Sequence, residues 1–192
     1  MQFEMIQSYF KQGKLNVNNI LDLGCGCAYN KEFKSGHFLY HYYFEFSPRV
    51  VIGVDNEAAK FWTNFNDFNN LFPDKLNRSQ FEQTFTFKCK SIENFLSDNQ
   101  LKFDLIILSN ILHFFKLDKI CELLSSLKNA LNLKGMIYLE MANKDHHSFD
   151  GDNVTKINHY SKSQIIDILM QCNYDVNRFI GDGSHWNIII TP

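Results

Sequence analysis

The run Asn19-Ile-Leu-Asp-Leu-Gly-Cys-Gly-Cys-Ala28 constrains this chain more than any other stretch. Its first five residues are apolar but for Asn19 and one acid, a length that suits a buried strand and is too short for a helix. Two glycines follow, one residue apart. A glycine has no Cβ, so the main chain can turn sharply there and another group can come close. A buried strand that runs into a glycine turn and then a helix is the corner at which open parallel α/β sheets hold nucleotides.

The rest of the chain repeats that grammar. Residues 2–12 place Phe3, Ile6, Tyr9 and Phe10 on one face of a short helix. Val50-Val-Ile-Gly-Val-Asp55 is a second buried strand ending in an acid. Residues 56–70 read as a helix, with Pro73 in the loop beyond. Phe85-Thr-Phe-Lys-Cys89 alternates as a strand does, and Ile92 to Leu96 reads as a helical turn. Phe103-Asp-Leu-Ile-Ile-Leu-Ser109 is continuously apolar but for Asp104, as in a strand covered on both faces. Leu117, Ile120, Cys121, Leu124, Leu127 and Leu131 recur at helical spacing, and Gly135 is read as the stop of that helix. Met136–Met141 is a further strand. Ser161 with Gln164 forms a capping box for a last helix carrying Ile165, Ile168, Leu169 and Cys172. Tyr174–Ile180 and Trp186–Ile190 then close the chain as strands. The Gly181-Asp-Gly183 connection between them is short enough only for antiparallel neighbours. Strand and helix alternate throughout, with no repeat or linker, so a single domain over 1–192 is expected.

Composition narrows the function classes. Net charge is −2 with scattered lysines, which excludes bulk electrostatic binding of nucleic acid. No apolar run approaches membrane-spanning length, and the N-terminus lacks the pattern of a signal peptide. Five cysteines without a framework spacing fit a reducing cytosol, so a cytoplasmic protein is expected. The 19 phenylalanines are read as core filling.

In four motifs taken in order, the chain resembles the class I S-adenosylmethionine-dependent methyltransferases over nearly its whole length. These are Asp22-Leu-Gly-Cys-Gly26, Asp55 at the end of the second strand, Phe103 through Ser109-Asn-Ile-Leu-His113, and the ending from His159-Tyr-Ser-Lys162 to Trp186-Asn-Ile-Ile-Ile190. The resemblance implies an α/β fold: a three-layer Rossmann-like sheet of seven mostly parallel strands, in order 3-2-1-4-5-7-6, with the last strand antiparallel. It implies S-adenosylmethionine as cofactor and gives each site residue a role. Asp55, with Asn56 beside it, would accept from the ribose hydroxyls. Asp22 and the carbonyl of Ser109 would face the cationic amino group. Gly24, Cys25 and Gly26 would pass beneath the sugar and the amino-acid tail, and Ser91 and Ile92 would contact adenine. Ligands of such sheets lie beyond the carboxyl ends of the strands, where these residues fall. Asp104, early in its strand, reads as structural, and Cys25 and Cys27 as small buried side chains.

The chain also departs from that pattern. Ala28 stands at the third glycine-like position. Ser91 replaces the common adenine-site acid, with Glu93 as the available substitute. Asp22 and Asp55 are 33 residues apart, whereas a ribose acid in dinucleotide folds lies about 20 residues past the glycines. About ten extra residues therefore fall within 27–49, a stretch holding Phe33, His37, Phe38, Tyr40, His41, Tyr42, Tyr43, Phe44 and Phe46. A lengthened amphipathic helix with a packed loop is preferred for it over a lid at Asn30–Gly36. An NAD fingerprint is rejected because Tyr29 stands where it needs glycine.

Transfer from a sulfonium is an in-line displacement on an activated methyl group, so alignment and exclusion of water supply most of the acceleration. A general base is required only for acceptors that hold their proton tightly. Asn110 and His113 follow the fourth strand, where acceptors dock in the family. His113 is the catalytic candidate by position, although a histidine packed under the pocket is the commoner arrangement. Asn110, His113 and His146 are the substrate-side candidates. Adjacent His146 and His147, near Asp145 and Asp150, read as solvated loop, since neighbouring histidines rarely ligate one ion together, and no metal is expected. Ser109-Asn-Ile-Leu112 is not the Asn-Pro-Pro-aromatic run of amino-methylating DNA enzymes, and no Pro-Cys pair marks a cytosine enzyme. DNA is therefore not an expected partner. The resemblance is to compact small-molecule methyltransferases, including the tellurite-resistance type. With only about 18 residues before the first strand, no large substrate cap is expected. The competing readings are a cofactor-binding pseudo-enzyme that docks a partner through residues 37–46, and a methyltransferase of protein or RNA.

Overall fold

The computed structural model describes residues 2–13, 16–26, 29–30, 35–36, 38–56, 65–142, 160–181 and 185–192. Seven strands make its main sheet: β1 (Asn19–Leu23), β2 (Val50–Asp55), β3 (Phe85–Cys89), β4 (Phe103–Ser109), β5 (Leu131–Ala142), β6 (Asp175–Gly181) and β7 (His185–Thr191). They lie in the order β3-β2-β1-β4-β5-β7-β6. The first five are mutually parallel, and β7 runs antiparallel to both β5 and β6. This is the expected order and sense. Successive strands are added on one side of β1 as far as β3 and then on its other side from β4, which places the topological switch point, and its crevice, between β1 and β4.

The helices are α1 (Gln2–Gly13), α2 (Phe38–Phe46), α3 (Phe65–Leu71), α4 (Arg78–Thr84), α5 (Ile92–Asp98), α6 (Leu117–Ala130) and α7 (Lys162–Gln171). Alternation along β4 separates two cores. Ile106 and Leu108 face the layer built from α5, α6 and α7, and Leu105 and Ile107 face α1 to α4. Both faces being covered explains why β4 is apolar throughout.

The aromatic stretch after the glycine turn is largely core. Tyr40 and Tyr42 of α2 are buried. Tyr40 meets Phe68 of α3 and Phe85 of β3 edge-on, at ring separations of 5.3 and 5.5 Å, and Phe81 of α4 lies 5.0 Å from Phe85. Offset and edge-on rings add to the burial of their large apolar areas. The preferred lengthened helix is not what forms. α2 has nine residues, and before it Tyr29 pairs with Gly36 and Asn30 with Ser35 in a two-residue antiparallel ladder. The helix stops where Ser47 turns left-handed at φ 47°, its amide bonded to the Tyr43 carbonyl, and Pro48 prevents continuation.

Other boundaries differ from the sequence expectation. Within 56–70 the described helix is α3, from Phe65, and the unforeseen α4 follows Pro73 with a capping box between Asn77 and Gln80. α6 ends at Ala130, five residues before Gly135. Gly135 lies inside β5, where a Cβ would stand 2.7 Å from the Phe103 carbonyl oxygen. Its function is close strand approach beside a register shift, not helix termination. Asp104 is structural as expected: one carboxylate oxygen accepts from the amides of Asn18 and Asn19 at 2.8 and 2.9 Å, the other from Asn132.

Candidate active site

A cleft of about 540 Å³ opens at the carboxyl ends of β1, β2, β3 and β4. Gly24, Asp55, Asn56, Ser91, Ile92, Ser109 and Asn110, all expected site residues, line it. Glu93, Ile111, Phe114 and Phe115 contribute further wall. The sheet brings these together from four separate stretches of chain because each follows the end of a strand that points the same way.

The glycine corner is held by hydrogen bonds rather than by side-chain packing. The amides of Gly24 and Cys25 both donate to the Val54 carbonyl, at 2.7 and 3.1 Å. The amide of Gly26 donates to Asp55 Oδ2 at 2.9 Å. Both glycines are left-handed, with φ of 73° and 59°. They differ in what they make room for. A Cβ on Gly24 would sit 2.0 Å from the Ile111 side chain, so that glycine admits the segment after β4. Among the described residues a Cβ on Gly26 would meet nothing within 4 Å, which leaves room on that side for a ligand. Cys25 is buried beneath the turn.

Asp22 lies under the cleft, 4% exposed. Burial, then the nearby carboxylates of Asp55 and Glu140, push its carboxyl from 3.8 up to about 8. Glu140 is a residue that the sequence did not single out. It sits opposite Ser109 on β5 and accepts a hydrogen bond from the Ser109 hydroxyl. Its place in the cross-strand register was the missing signal, since Met136–Met141 read only as an apolar strand.

The second half of the site follows β4. Asn110 is left-handed at φ 55°, and its amide donates to the Glu140 carbonyl at 2.8 Å. Its side-chain oxygen is buried without a hydrogen-bond partner. A single 3₁₀ turn, Leu112–Phe114, comes next. His113 in that turn is 6% exposed, its ring lies tilted against that of Phe114 at 4.2 Å between centroids, and it is not among the residues lining the cleft. Phe114 lines the cleft instead and is 56% exposed. The wall is fixed from below by Tyr160, whose hydroxyl donates to the Phe115 carbonyl at 2.5 Å. Ser91 caps α5, its hydroxyl accepting from the Asn94 amide at 3.2 Å. Cys27, Ala28, Phe33, His37, Asp145, His146, His147 and Asp150 lie outside the described residues. Among the described residues, no group of three or more His, Cys, Asp or Glu side chains is arranged to hold a metal ion. None of the described helices is long and apolar enough to cross a membrane.

No family model and no curated protein matches the chain. Solved structures do. The plantazolicin methyltransferase BpumL, in complex with SAH, superposes with a TM-score of 0.67 at 18% identity, over 99% of this chain and 82% of that one. An S-adenosylmethionine-dependent methyltransferase from Clostridium acetobutylicum gives 0.65 at 14% identity, over 99% and 90%. The magnesium protoporphyrin IX methyltransferase of Synechocystis, with bound SAM, gives 0.59 at 13% identity, over 98% and 76%. The chain has the Rossmann-like fold of these methyltransferases.

Proposed function

We propose that this chain is an S-adenosylmethionine-dependent methyltransferase with a small-molecule acceptor. The observation that carries the reading is the pairing of Asp55 with the glycine turn: an acid at the end of β2, bonded to the Gly26 amide, lining a cleft at the switch point of the sheet. The structural likenesses to enzymes whose structures hold SAM or SAH support it.

The residues present fit that cofactor. Asp55 and Asn56 would hold the ribose, Ser91 and Ile92 the adenine, and Gly24, Cys25 and Gly26 the main-chain side of the sugar and tail. Asp22 and the Ser109 carbonyl would face the amino group, where the nearby acids Asp55 and Glu140 favour a cation and a cation would favour the ionised form of Asp22. When bound, S-adenosylmethionine supplies a methyl group already activated by its sulfonium. The chain's own residues bind, align and exclude water around it. No general base is assigned: His113, the sequence candidate, is buried under the 3₁₀ turn and suits positioning of Phe114.

The small-molecule reading, with resemblance to the tellurite-resistance type, rests on Ser109-Asn-Ile-Leu112, which is not the Asn-Pro-Pro-aromatic run of amino-methylating DNA enzymes. His146 is proposed on the substrate side of the same site. Cysteine usage supports a cytosolic location, and the continuous strand–helix alternation supports one domain. Burial of Tyr40 and Tyr42 removes two of the aromatic residues that a partner-docking pseudo-enzyme would display at 37–46.

Calorimetric titration with S-adenosylmethionine and its demethylated product tests the reading, followed by mass spectrometry of an acceptor panel that includes peptides and RNA. Absence of binding to either form ends it. Binding with turnover only on peptide or RNA would move the acceptor class.

A further inference from the structure

Two cysteines meet outside the cleft, on the seam between α6 and the end of α7. Cys121, Leu124 and Lys128 are three and then four residues apart, which puts them on one stripe of α6. The Lys128 ammonium donates to the Asn173 carbonyl at 3.1 Å and lies 5.5 Å over the Tyr174 ring. The Tyr174 hydroxyl donates to the Leu124 carbonyl at 2.7 Å. Cys121, one turn nearer the start of α6, continues that register against Cys172, and the two thiols share a hydrogen bond.

The backbone under Cys172 is anchored. Its amide donates to the Ile168 carbonyl at 3.0 Å, Asn173 turns left-handed at φ 56°, and the Tyr174 amide returns to the Leu169 carbonyl at 2.9 Å. Both cysteines are half-buried at the margin of the core layer of α5, α6 and α7, within reach of a small solute. Cys25, by contrast, is buried, and Cys89 is exposed at the end of β3. A disulfide needs side chains that point at one another across a sulfur–sulfur bond of about 2.05 Å. Thiols that already share a hydrogen bond meet the first condition. In a reducing compartment such bonds are transient and redox-sensing.

We infer that Cys121 and Cys172 are a modification site: a hydroperoxide converts them into a reversible disulfide that clamps α6 to the end of α7. The inference uses none of the residues of the methyltransferase reading and stands apart from it. The Cys121 sulfur attacks one peroxide oxygen and the O–O bond breaks. Cys121 becomes a sulfenic acid, and the other oxygen leaves as water or alcohol with the Cys121 proton. The Cys172 sulfur then attacks the sulfenic sulfur, the S–O bond breaks, and that oxygen leaves as water with the Cys172 proton. Two thiols are oxidised by two electrons in all, and one peroxide is reduced. The order follows from the Cys172 thiol, which burial and then Cys121 push from 9.0 up to about 11, so that it keeps its proton at neutral pH. The clamp lies behind the cleft wall: α6 begins just after Phe115, whose carbonyl is held by Tyr160 just before α7.

The test treats the full, reduced chain with hydrogen peroxide, blocks remaining thiols with N-ethylmaleimide, and maps tryptic peptides by mass without reduction. Peptide 120–128 is expected to be joined to peptide 163–178, with the loss of two hydrogens, and dithiothreitol should separate them. The closed loop is long, so the oxidised chain should melt about 5 °C or more above the reduced one. Cys121→Ser and Cys172→Ser should each lose both the joined peptide and the rise in melting temperature. The joined peptide in the unaltered chain is read without relying on either variant. Absence of that linkage, sulfinic acid at either residue in its place, linkage to another cysteine, or an unchanged melting temperature overturns the proposal.

Discussion

The Gly26 amide donates to Asp55 Oδ2 at 2.9 Å, so the acid at the end of β2 also fastens the turn that follows β1. Two strands adjacent in the sheet but distant in sequence thereby fix one another at the mouth of the cleft. Asp55 consequently has a local structural role besides the ribose contact proposed for it, and its substitutions separate the two. Asp55→Ala removes both, and cofactor-product affinity should fall by about 2 kcal/mol or more, roughly thirtyfold, as charge-assisted hydrogen bonds are lost. Asp55→Asn still offers an oxygen to Gly26 and should lose less. Calorimetric titration reads both; unchanged affinity in Asp55→Ala refutes the site.

The two glycines of the turn should respond differently to alanine. At Gly24 the left-handed φ costs about 1–2 kcal/mol, and the new Cβ would also strike Ile111 at 2.0 Å. Overpacking of that kind adds about 1–3 kcal/mol. At Gly26 only the backbone strain applies, since among the described residues nothing stands within 4 Å of a Cβ there. Denaturant unfolding should therefore rank Gly24→Ala as the less stable variant. Gly26→Ala should lose more cofactor-product affinity than its stability change accounts for. The reverse stability ranking would refute the packing of Ile111 on Gly24, and unchanged affinity in Gly26→Ala would mean that the ligand does not pass over Gly26.

Asp22 gives the site a pH dependence of definite sign. Its carboxyl titrates at about 8 in the fold, raised by burial and then by Asp55 and Glu140, against about 3.9 in an unfolded chain. The native state thus holds the extra proton between those values. The contribution of this group to stability is full below about pH 4 and is lost as pH rises through about 8. A cationic amino group placed beside Asp22 favours the ionised form, so binding should release a proton at neutral pH and tighten as pH rises towards 8. Titrations at pH 7 in buffers of different ionisation enthalpy should show that release. Asp22→Asn should abolish it, and Glu140→Gln, by removing one repelling charge, should shift the dependence to lower pH. A binding enthalpy independent of buffer in the unaltered protein would rule out the linkage.

Tyr40 tests the reading of the aromatic segment as core. It is buried against Phe68, Phe81 and Phe85, and truncation of a large buried aromatic costs about 3–5 kcal/mol. Tyr40→Ala should lower the unfolding free energy by that amount while the folded fraction keeps its cofactor-product affinity. A stable variant with an altered oligomeric state would instead point to an interface.

Strand composition carried much of this fold into view. A run such as Phe103–Ser109 is apolar at nearly every position only when both faces are covered, and a short Gly-Asp-Gly link permits only an antiparallel return. Those local facts, with Asp22, Gly24, Gly26 and Asp55 in order, located the strands of the sheet and one side of the cleft. Helix bounds were less legible. Gly135 resembles a helix stop in one dimension, yet the proximity of Phe103 across the sheet is what requires a glycine there. The lengthened helix expected after the glycine turn gave way to a short ladder and the nine residues of α2, because Tyr40 is held in a core built from α3, α4 and β3, elements far along the chain.

The sequence by itself determined which strands are buried, where the glycine corner lies, and which acid ends the second strand, since these follow from period, run length and the absence of a Cβ. Only the tertiary structure decided that Glu140 faces Ser109, that Asp22 is pressed among carboxylates, that His113 is buried while Phe114 is exposed, and that the Asn110 oxygen is left unpaired. Those are relations across the sheet and its covering turns. Burial and cross-strand partners depend on which distant segments fold together, and no local pattern contains them.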